Sequence, residues 1–574
     1  MIFYLSFSLL FFFSFLLPNH YSPWMSFYLE FSAFSSLFIF SLYIAFLGFA
    51  LRLNKFFILL LVYSALPILQ YFFFEGWFFG DALLLMFFLV AFSSSVIFSY
   101  SVNLNSSEDR LSEYIAGLLV FVGAVSVWLS MIQWFGLWVS IWVHDVPFGA
   151  RPNGNLAQPN NYSSLIWLSL FSLYYLYERK RIGAFGLIFA GLFLIGGAAL
   201  AQSRTSWVVL GVLVVVAVIH WAIFRRWRWQ RLALPLAATV AFYVLGFLLI
   251  GLKGFLFGEG GQGLRTGFTD IRTDMWMAFI HAILERPWFG YGWGQVSLAQ
   301  LAVAEMYPAV GLTQYSHNLF LDLLIWNGIP LGLVFIALIC FFWLRIFFVA
   351  SSAKGFYSLC CFSVLLVHSL LEYPHAYSYF LLLAGFFIGI SVCDPINTNT
   401  FRFAGKRWLS FVSLLNVAVA KTVRVPRVAL YVVVVLFAAA LVISWLDYRK
   451  LEEDHRLLRF EVASIGTLKA EQKAPDVIFF DQLQSFTWLA RTKQFEDLTA
   501  DEQERVEKVA ARYALPMPLF KLAQLRLAQN RPEEAEQTLK TIKHLHGEDT
   551  YNAAVAEFRA LTAETYGGEE SLSR

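Results

Sequence analysis

Apolar residues run along most of this chain without the alternation of a surface strand or the wide polar face of a soluble helix. Thirteen stretches approach the ~20 residues that an α-helix needs to cross hydrocarbon. They fall near 2–17, 30–51, 56–74, 81–100, 114–136, 160–177, 183–200, 206–223, 232–252, 318–344, 356–371, 379–393 and 428–446. The pattern then changes. From 447 to 574 the chain is rich in Ala, Leu, Glu, Lys and Arg, which predicts helices and no sheet. Within that part, 519–529, a break at Asn530-Arg531-Pro532 and 533–546 read as a helix hairpin. Ala535, Leu539 and Ile542 are expected to face Leu522 and Leu525, a spacing that resembles one tetratricopeptide (TPR) repeat. The expected fold is therefore all-α. Residues 1–446 form a polytopic membrane domain of about 13 transmembrane helices, with a large loop at 253–317, and 447–574 form a soluble, helical, TPR-like domain.

Composition sharpens the division. The 574-residue chain is 59% hydrophobic, 18% aromatic and 14% charged, whereas an ordinary soluble domain is ~25% charged. For the bulk of the chain this excludes a cytosolic enzyme, a secreted enzyme and a nucleic-acid-binding domain. Residues 447–574 alone hold 18 basic and 23 acidic side chains. The four cysteines, Cys340, Cys360, Cys361 and Cys393, all lie in apolar runs, so neither a disulfide framework nor a Cys-x-x-Cys zinc site is available. The first apolar run lacks a basic flank and a small-residue cleavage site, and is expected to be a retained span.

Lys and Arg in the short loops set the orientation. With the N-terminus inside, inner loops carry 18 basic residues and outer loops carry six: Arg151, Arg204, Lys253, Arg265, Arg272 and Arg286. An odd number of spans then puts the charged tail outside. The segments rich in Gly, Asn, Gln, His and Tyr, at 144–160, 201–205, 253–317 and 372–378, all fall on the outer side, so any reaction centre is expected there.

Four segments carry candidate chemistry. Residues 151–162, Arg-Pro-Asn-Gly-Asn-Leu-Ala-Gln-Pro-Asn-Asn-Tyr, hold more amides than a polar turn needs. Gln158, Asn160 and Asn161 offer donors and acceptors together, which suits sugar hydroxyls or a phosphate edge. Arg204, in Ala-Gln-Ser-Arg-Thr-Ser-Trp, stands between two spans with almost no loop. An arginine at membrane depth marks a pathway or an anion partner, and a following helix N-terminus favours anions as well. The long loop opens on a Gly-rich stretch without the Lys-Ser/Thr of a phosphate-binding P-loop. It continues through Arg265 and Arg272 to Pro287-Trp-Phe-Gly-Tyr-Gly-Trp-Gly294, whose Tyr291 and Trp293 could stack on sugars or anchor at an interface. It ends on His317-Asn318, where a neutral imidazole can take a proton from a hydroxyl nucleophile. Last comes His368-Ser-Leu-Leu-Glu372-Tyr-Pro-His375. A metal site there lacks a full ligand set; a carboxylate that orients an imidazole or binds an acceptor is the better reading.

Together these motifs resemble bacterial PglL-type protein O-oligosaccharyltransferases, within the O-antigen ligase and Wzy polymerase superfamily. The carriers are Gly154-Asn-Leu-Ala-Gln-Pro-Asn-Asn161, Ser203-Arg204-Thr205, Arg272 with Trp276, Gly290-Tyr-Gly-Trp-Gly294, Ser316-His-Asn318 and His368-Ser-Leu-Leu-Glu-Tyr-Pro374. The resemblance implies a glycosyltransferase that needs neither metal nor cofactor. It would sit in the bacterial inner membrane, with its site and tail in the periplasm. Its donor would be an oligosaccharide on undecaprenyl pyrophosphate and its acceptor a Ser or Thr of an exported protein such as pilin. Carried over residue by residue, Arg204 and Arg272, with Arg265 next, would engage the pyrophosphate and His317 would serve the acceptor. Gln158, Asn160, Asn161, Tyr291, Trp293, Asn318, Glu372 and His375 would line the substrates. An O-antigen ligase acting on lipid A core, or an O-antigen polymerase, is the alternative within the superfamily. A transporter would instead scatter charges through the bilayer and show inverted repeats.

Overall fold

A computed structural model describes residues 2–74, 76–105, 109–137, 140–147, 150–224, 229–257, 271–308, 311–394, 396, 416, 422–465 and 474–566. Helices follow one another as α1 (Ile2–Leu16), α2 (Phe27–Leu47), α3 (Lys55–Ser64), α4 (Leu66–Phe73), α5 (Phe79–Asn105), α6 (Arg110–Phe135), α7 (Pro159–Glu178), α8 (Ala184–Leu200), α9 (Arg204–Phe224) and α10 (Trp229–Phe257). Then come α11 (Ile271–Glu285), α12 (Val296–Ala302), α13 (Leu319–Val349), α14 (Ala353–Ser369), α15 (Ser378–Val392), α16 (Arg427–Val462), α17 (Asp481–Arg491), α18 (Ala500–Tyr513), α19 (Pro516–Ala528), α20 (Pro532–His546) and α21 (Glu548–Tyr566). Among the described residues the strands are two-residue pieces, β1 (Arg52–Leu53) and β2 (Val423–Arg424), paired antiparallel with Arg52 opposite Arg424. The architecture is all-α.

Twelve of the thirteen apolar stretches fall on one helix each, and 56–74 falls on the pair α3 and α4. Among the described residues eight helices, counting α3 and α4 as one, are long and apolar enough to cross a membrane, and α1, α8, α14 and α15 are shorter apolar helices. The chain is a multi-pass membrane protein. Composition places the end of the last apolar run near 446, but α16 runs unbroken through that point to Val462.

The chain forms two compact units. The first comprises 1–64, 88–268 and 337–442; the second comprises 65–87, 269–336 and 443–574. In the first unit α7 is the central element, packed by α6, α8, α9 and α14. It is rich in Ser and Tyr, yet every residue from Asn161 to Tyr175 is buried. Burial of hydroxyls is tolerable only when they are bonded. Ser164 meets His368 Nδ1 at 2.8 Å, Ser169 donates to Leu119 O at 2.7 Å, and Ser172 pairs with the Tyr357 hydroxyl at 2.8 Å. Around the C-terminal end of α7 charge cancels charge. Glu178 takes Arg231 at 2.8 Å, and Glu113 takes both Arg179 and Arg181 at 2.8 Å.

In the second unit α18 to α21 stack about Val506, Ala510, Ala523, Leu539 and Ile542. Asn530, in the left-handed region at φ 61°, turns α19 into α20. Asp481 Oδ1 accepts the Gly80 amide at 2.9 Å. Arg512 forks onto buried Asp81, with Nε at 2.7 Å and Nη2 at 3.2 Å. Burial opposes this guanidinium's charge, but Asp81 outweighs it and raises the pKa above the ordinary arginine range. The tail helices are thereby tied to the Phe79 end of α5, and Ser297 of α12 donates to Arg512 O at 2.8 Å.

Candidate functional site

The amides of 151–162 divide into two groups. Asn153 and Asn155 are spent on shape. Gln133, in the last turn of α6, accepts the amides of Asn153 and Gly154 at 3.0 and 2.9 Å and donates to His144 O at 2.9 Å. Asn155 donates to Leu16 O at 2.7 Å and Trp142 O at 2.8 Å, and accepts the His144 amide at 2.9 Å. His20 Nε2 lies 2.8 Å from Asn155 O, with its ring edge-on to His144 at 5.0 Å. Burial lowers the pKa of both imidazoles.

The second group, Gln158, Asn160 and Asn161, opens α7. Gln158 is its N-cap and Pro159 its first residue, a position that needs no amide hydrogen. Asn160 Nδ2 donates to Glu372 Oε1 at 3.1 Å, and Gln158 Nε2 reaches Glu372 Oε2 at 3.5 Å. Asn160 Oδ1 accepts the Ser203 hydroxyl at 2.7 Å. Buried Glu372 is thus bound to the residue before Arg204 through a single asparagine. Asn161 is 1% exposed, and among the described residues neither of its amide atoms has a partner. Arg204 is half-buried and opens α9, where unsatisfied N–H groups and the helix dipole favour an anion. The turn before it is tight, with Gln202 at φ 46°. His375 lies half-buried in a 3-10 turn, Pro374–Ala376. His368 and Glu372 share one face as their spacing suggests: α14 ends at Ser369, but Glu372 N still donates to His368 O at 2.8 Å, and the two side chains meet Ser164 and Asn160, one turn apart on α7. Among the described residues no three His, Cys, Asp or Glu side chains gather as a metal would require.

The second unit holds the remaining candidates. His317 is half-buried at φ 57°, left-handed. That conformation costs a non-glycine residue roughly 1 kcal/mol or more, and both neighbours are fixed. The Ser316 amide donates to buried Asp322 Oδ1 at 2.8 Å, and Ser316 O accepts Trp276 Nε1 at 3.0 Å. Asn318 Oδ1 caps α13 by accepting the amides of Phe320 and Leu321 at 3.0 and 3.3 Å. Arg272 stands one turn before Trp276 on α11, on the same helix face. Arg272 therefore stands one helical turn from the side chain that holds the residue before His317. Tyr291 and Trp293 serve packing. Tyr291 is buried under the Arg286 guanidinium at 4.8 Å, and Trp293 lies against Trp326 at 4.8 Å and Phe335 at 5.8 Å. Arg265 and the Gly-rich stretch at 258–263 lie outside the described residues.

Residues 187–336 match the family model described as O-antigen ligase, and 356–560 match the one described as virulence factor membrane-bound polymerase, C-terminal. The general O-oligosaccharyltransferase of Acinetobacter baylyi is 28% identical over 550 residues, 93% of this chain and 90% of that protein. The ComP-specific O-oligosaccharyltransferase of the same organism is 28% identical over 371 residues, 62% of this chain and 66% of that protein.

Over these residues the chain is similar to the O-antigen ligase superfamily.

The resemblance to its PglL-type O-oligosaccharyltransferase branch thus extends to sequence relatives along nearly the whole chain. The O-antigen ligase match contains Arg204, Arg265, Arg272, Tyr291, Trp293, His317 and Asn318; the polymerase match contains Glu372 and His375. Gln158, Asn160 and Asn161 precede both. Sequence reasoning passed over Gln133 and Asp322 as positioning residues. Each is a polar side chain inside an apolar run, which is the available signal, but one sequence cannot say which backbone it holds.

Proposed function

We propose that this protein transfers an oligosaccharide from undecaprenyl pyrophosphate to the hydroxyl of Ser or Thr in an exported protein such as pilin. The observation that carries the reading is His317, held left-handed between a Ser316 bonded on both sides and a helix-capping Asn318. Strain kept by this many contacts marks residues whose position matters to chemistry. The relatives' names support the protein acceptor.

In this mechanism the acceptor oxygen forms a bond to the anomeric carbon of the donor sugar, and the bond from that carbon to the pyrophosphate oxygen breaks. The hydroxyl proton goes to the His317 imidazole, because a hydroxyl is a weak nucleophile without a base. Undecaprenyl pyrophosphate leaves with the electron pair. Arg204 and Arg272, with Arg265, neutralise its growing charge through bidentate hydrogen bonds. The N-terminus of α9 adds backbone donors beside Arg204. Gln158, Asn160 and Asn161 with Glu372 contact sugar or acceptor hydroxyls, and His375 lies at the margin of that set. In this reading the reaction runs at the outer face of the inner membrane, in a chain of about thirteen spans with a periplasmic TPR-like tail.

Two measurements test the reading. Intact masses of pilin from strains with and without the gene should differ by one glycan; identical masses for every exported protein examined would overturn protein glycosylation. Phosphatase fused after Ser444 should be active and β-galactosidase silent. The reverse would invert the orientation.

A further inference from the structure

α13 is not continuous. Gly328 sits at φ 72° and ψ 174°, and Pro330 follows two residues later. A break inside an apolar helix frees backbone groups that hydrocarbon cannot satisfy, so a neighbour must take them. Here residues 287–293 do so. Tyr291 N donates to Ile325 O at 2.7 Å, Gly292 N to Trp326 O at 3.1 Å, and Ile329 N to Pro287 O at 2.7 Å. Gln70 of α4 locks the same place, accepting Trp293 N at 2.9 Å and donating to Trp326 O at 3.1 Å. The approach needs glycine on both sides, since a Cβ at Gly290 or Gly328 would collide with the opposing backbone.

These bonds fix a depth. At ~1.5 Å per residue, Gly328 lies about 14 Å along α13 from Leu319. The helix has 31 residues, hence ~46 Å, and a hydrocarbon core is ~30 Å thick. A centred span overhangs by about 8 Å at each end, which puts the break ~6 Å below the hydrocarbon boundary. The turn stitched to that level carries Trp288 and Phe289, which are 71% and 76% exposed. Leu284, before them on α11, is 60% exposed. The apolar surface continues on both attached elements, with Phe73 of α4 at 83% and Leu333 of α13 at 53%. Arg286 stays beside this surface with its guanidinium over the Tyr291 ring, suited to a phosphate headgroup at the rim.

We propose that 284–289 is a re-entrant turn whose partner is the lipid of the leaflet at the Leu319 end of α13. The occupant is bilayer hydrocarbon, because the surface is continuous with the faces of two helices apolar enough to span. The proposal does not depend on the transfer reaction, and its test reads position alone. The full chain, with Cys340, Cys360, Cys361 and Cys393 replaced, receives a single nitroxide at Trp288→Cys or Phe289→Cys in phosphatidylcholine/phosphatidylglycerol vesicles. Oxygen should relax both labels several-fold more than a water-soluble nickel chelate does, as at Leu333→Cys. Glu536→Cys, exposed on α20, should show the opposite. Chelate access at 288 and 289 equal to that at 536 would overturn the proposal. The unaltered chain gives a second reading. A lipid with a photoactivatable acyl chain should leave adducts on 284–289; adducts on Leu333 but none on 284–289 would also overturn it.

Discussion

Residues 151–162 and 314–322 are both short polar stretches that lead into a long helix, yet the fold uses their polar groups in opposite ways. Where the first enters its helix, side chains hold side chains: Gln158 and Asn160 grip Glu372, and Asn160 takes Ser203. In the second, side chains hold backbone: Asp322 and Trp276 pin Ser316, and Asn318 caps α13. The first arrangement positions several groups at once, chiefly through Asn160. The second concentrates on the placement of His317. The two should therefore fail differently, the second by loss of rate and the first by loss of stability with partial activity.

The largest expected effect is at His317. Loss of a positioned general base costs about 10²–10⁴ in rate, so His317→Ala should abolish detectable glycoprotein while binding of lipid-linked donor is kept. His375→Ala is the control and should retain most transfer. If their effects were exchanged, the base would belong to the Glu372–His375 segment. Next come the arginines. Arg204→Lys and Arg272→Lys keep charge but lose the bidentate fork, and loss of a transition-state donor costs about 10²–10³. Single-turnover transfer with purified donor reads this. Near-normal rates in both variants would leave Arg265 as the main pyrophosphate ligand.

A smaller effect sharpens the contrast at Glu372. Glu372→Ala leaves the Asn160 and Gln158 donors without their acceptor in a buried place, at about 1–3 kcal/mol. The unfolding midpoint of the detergent-solubilised protein should fall, and Glu372→Gln should fall less because one acceptor oxygen remains. If Glu372→Ala lost all transfer with no change in midpoint, the carboxylate would be a substrate contact first and a structural one second.

The helices were legible because apolar length is a local property, and twelve of the thirteen stretches lie on one helix each. The breaks were less so. Residues 318–344 read as a single span, although Asn327-Gly-Ile-Pro330 is a breaker sequence, because apolar residues continue on both sides. The site residues were legible as types, since lone arginines and amides stand out in an apolar chain. Their division of labour was not. Asn153, Asn155 and Asn160 look alike in sequence, and only the positions of Gln133, Leu16 and Glu372 separate scaffold from site. Likewise nothing local marks Tyr291 and Trp293 as packed rather than open, because their covers, Arg286, Trp326 and Phe335, come partly from a later helix.

The smallest expected effect is the most discriminating for the second motif. Asn318 contributes its Oδ1 to two amides of α13, and replacing an N-cap residue by Ala costs typically ~1 kcal/mol. That is comparable to the strain His317 carries, so losing the cap lets residues 316–318 relax without unfolding the helix. Asn318→Ala should therefore lower kcat by about tenfold, the factor that ~1.4 kcal/mol represents, with little change in donor KM. Asn318→Asp and Asn318→Ser keep a capping oxygen and should restore most of the rate. A residue that touched the substrate directly would behave otherwise: KM would rise, and Asp, which adds charge, would not substitute for Asn. Equal defects in the Ala, Ser and Asp variants would show that Asn318 acts through its amide on the substrate and not through the backbone of His317.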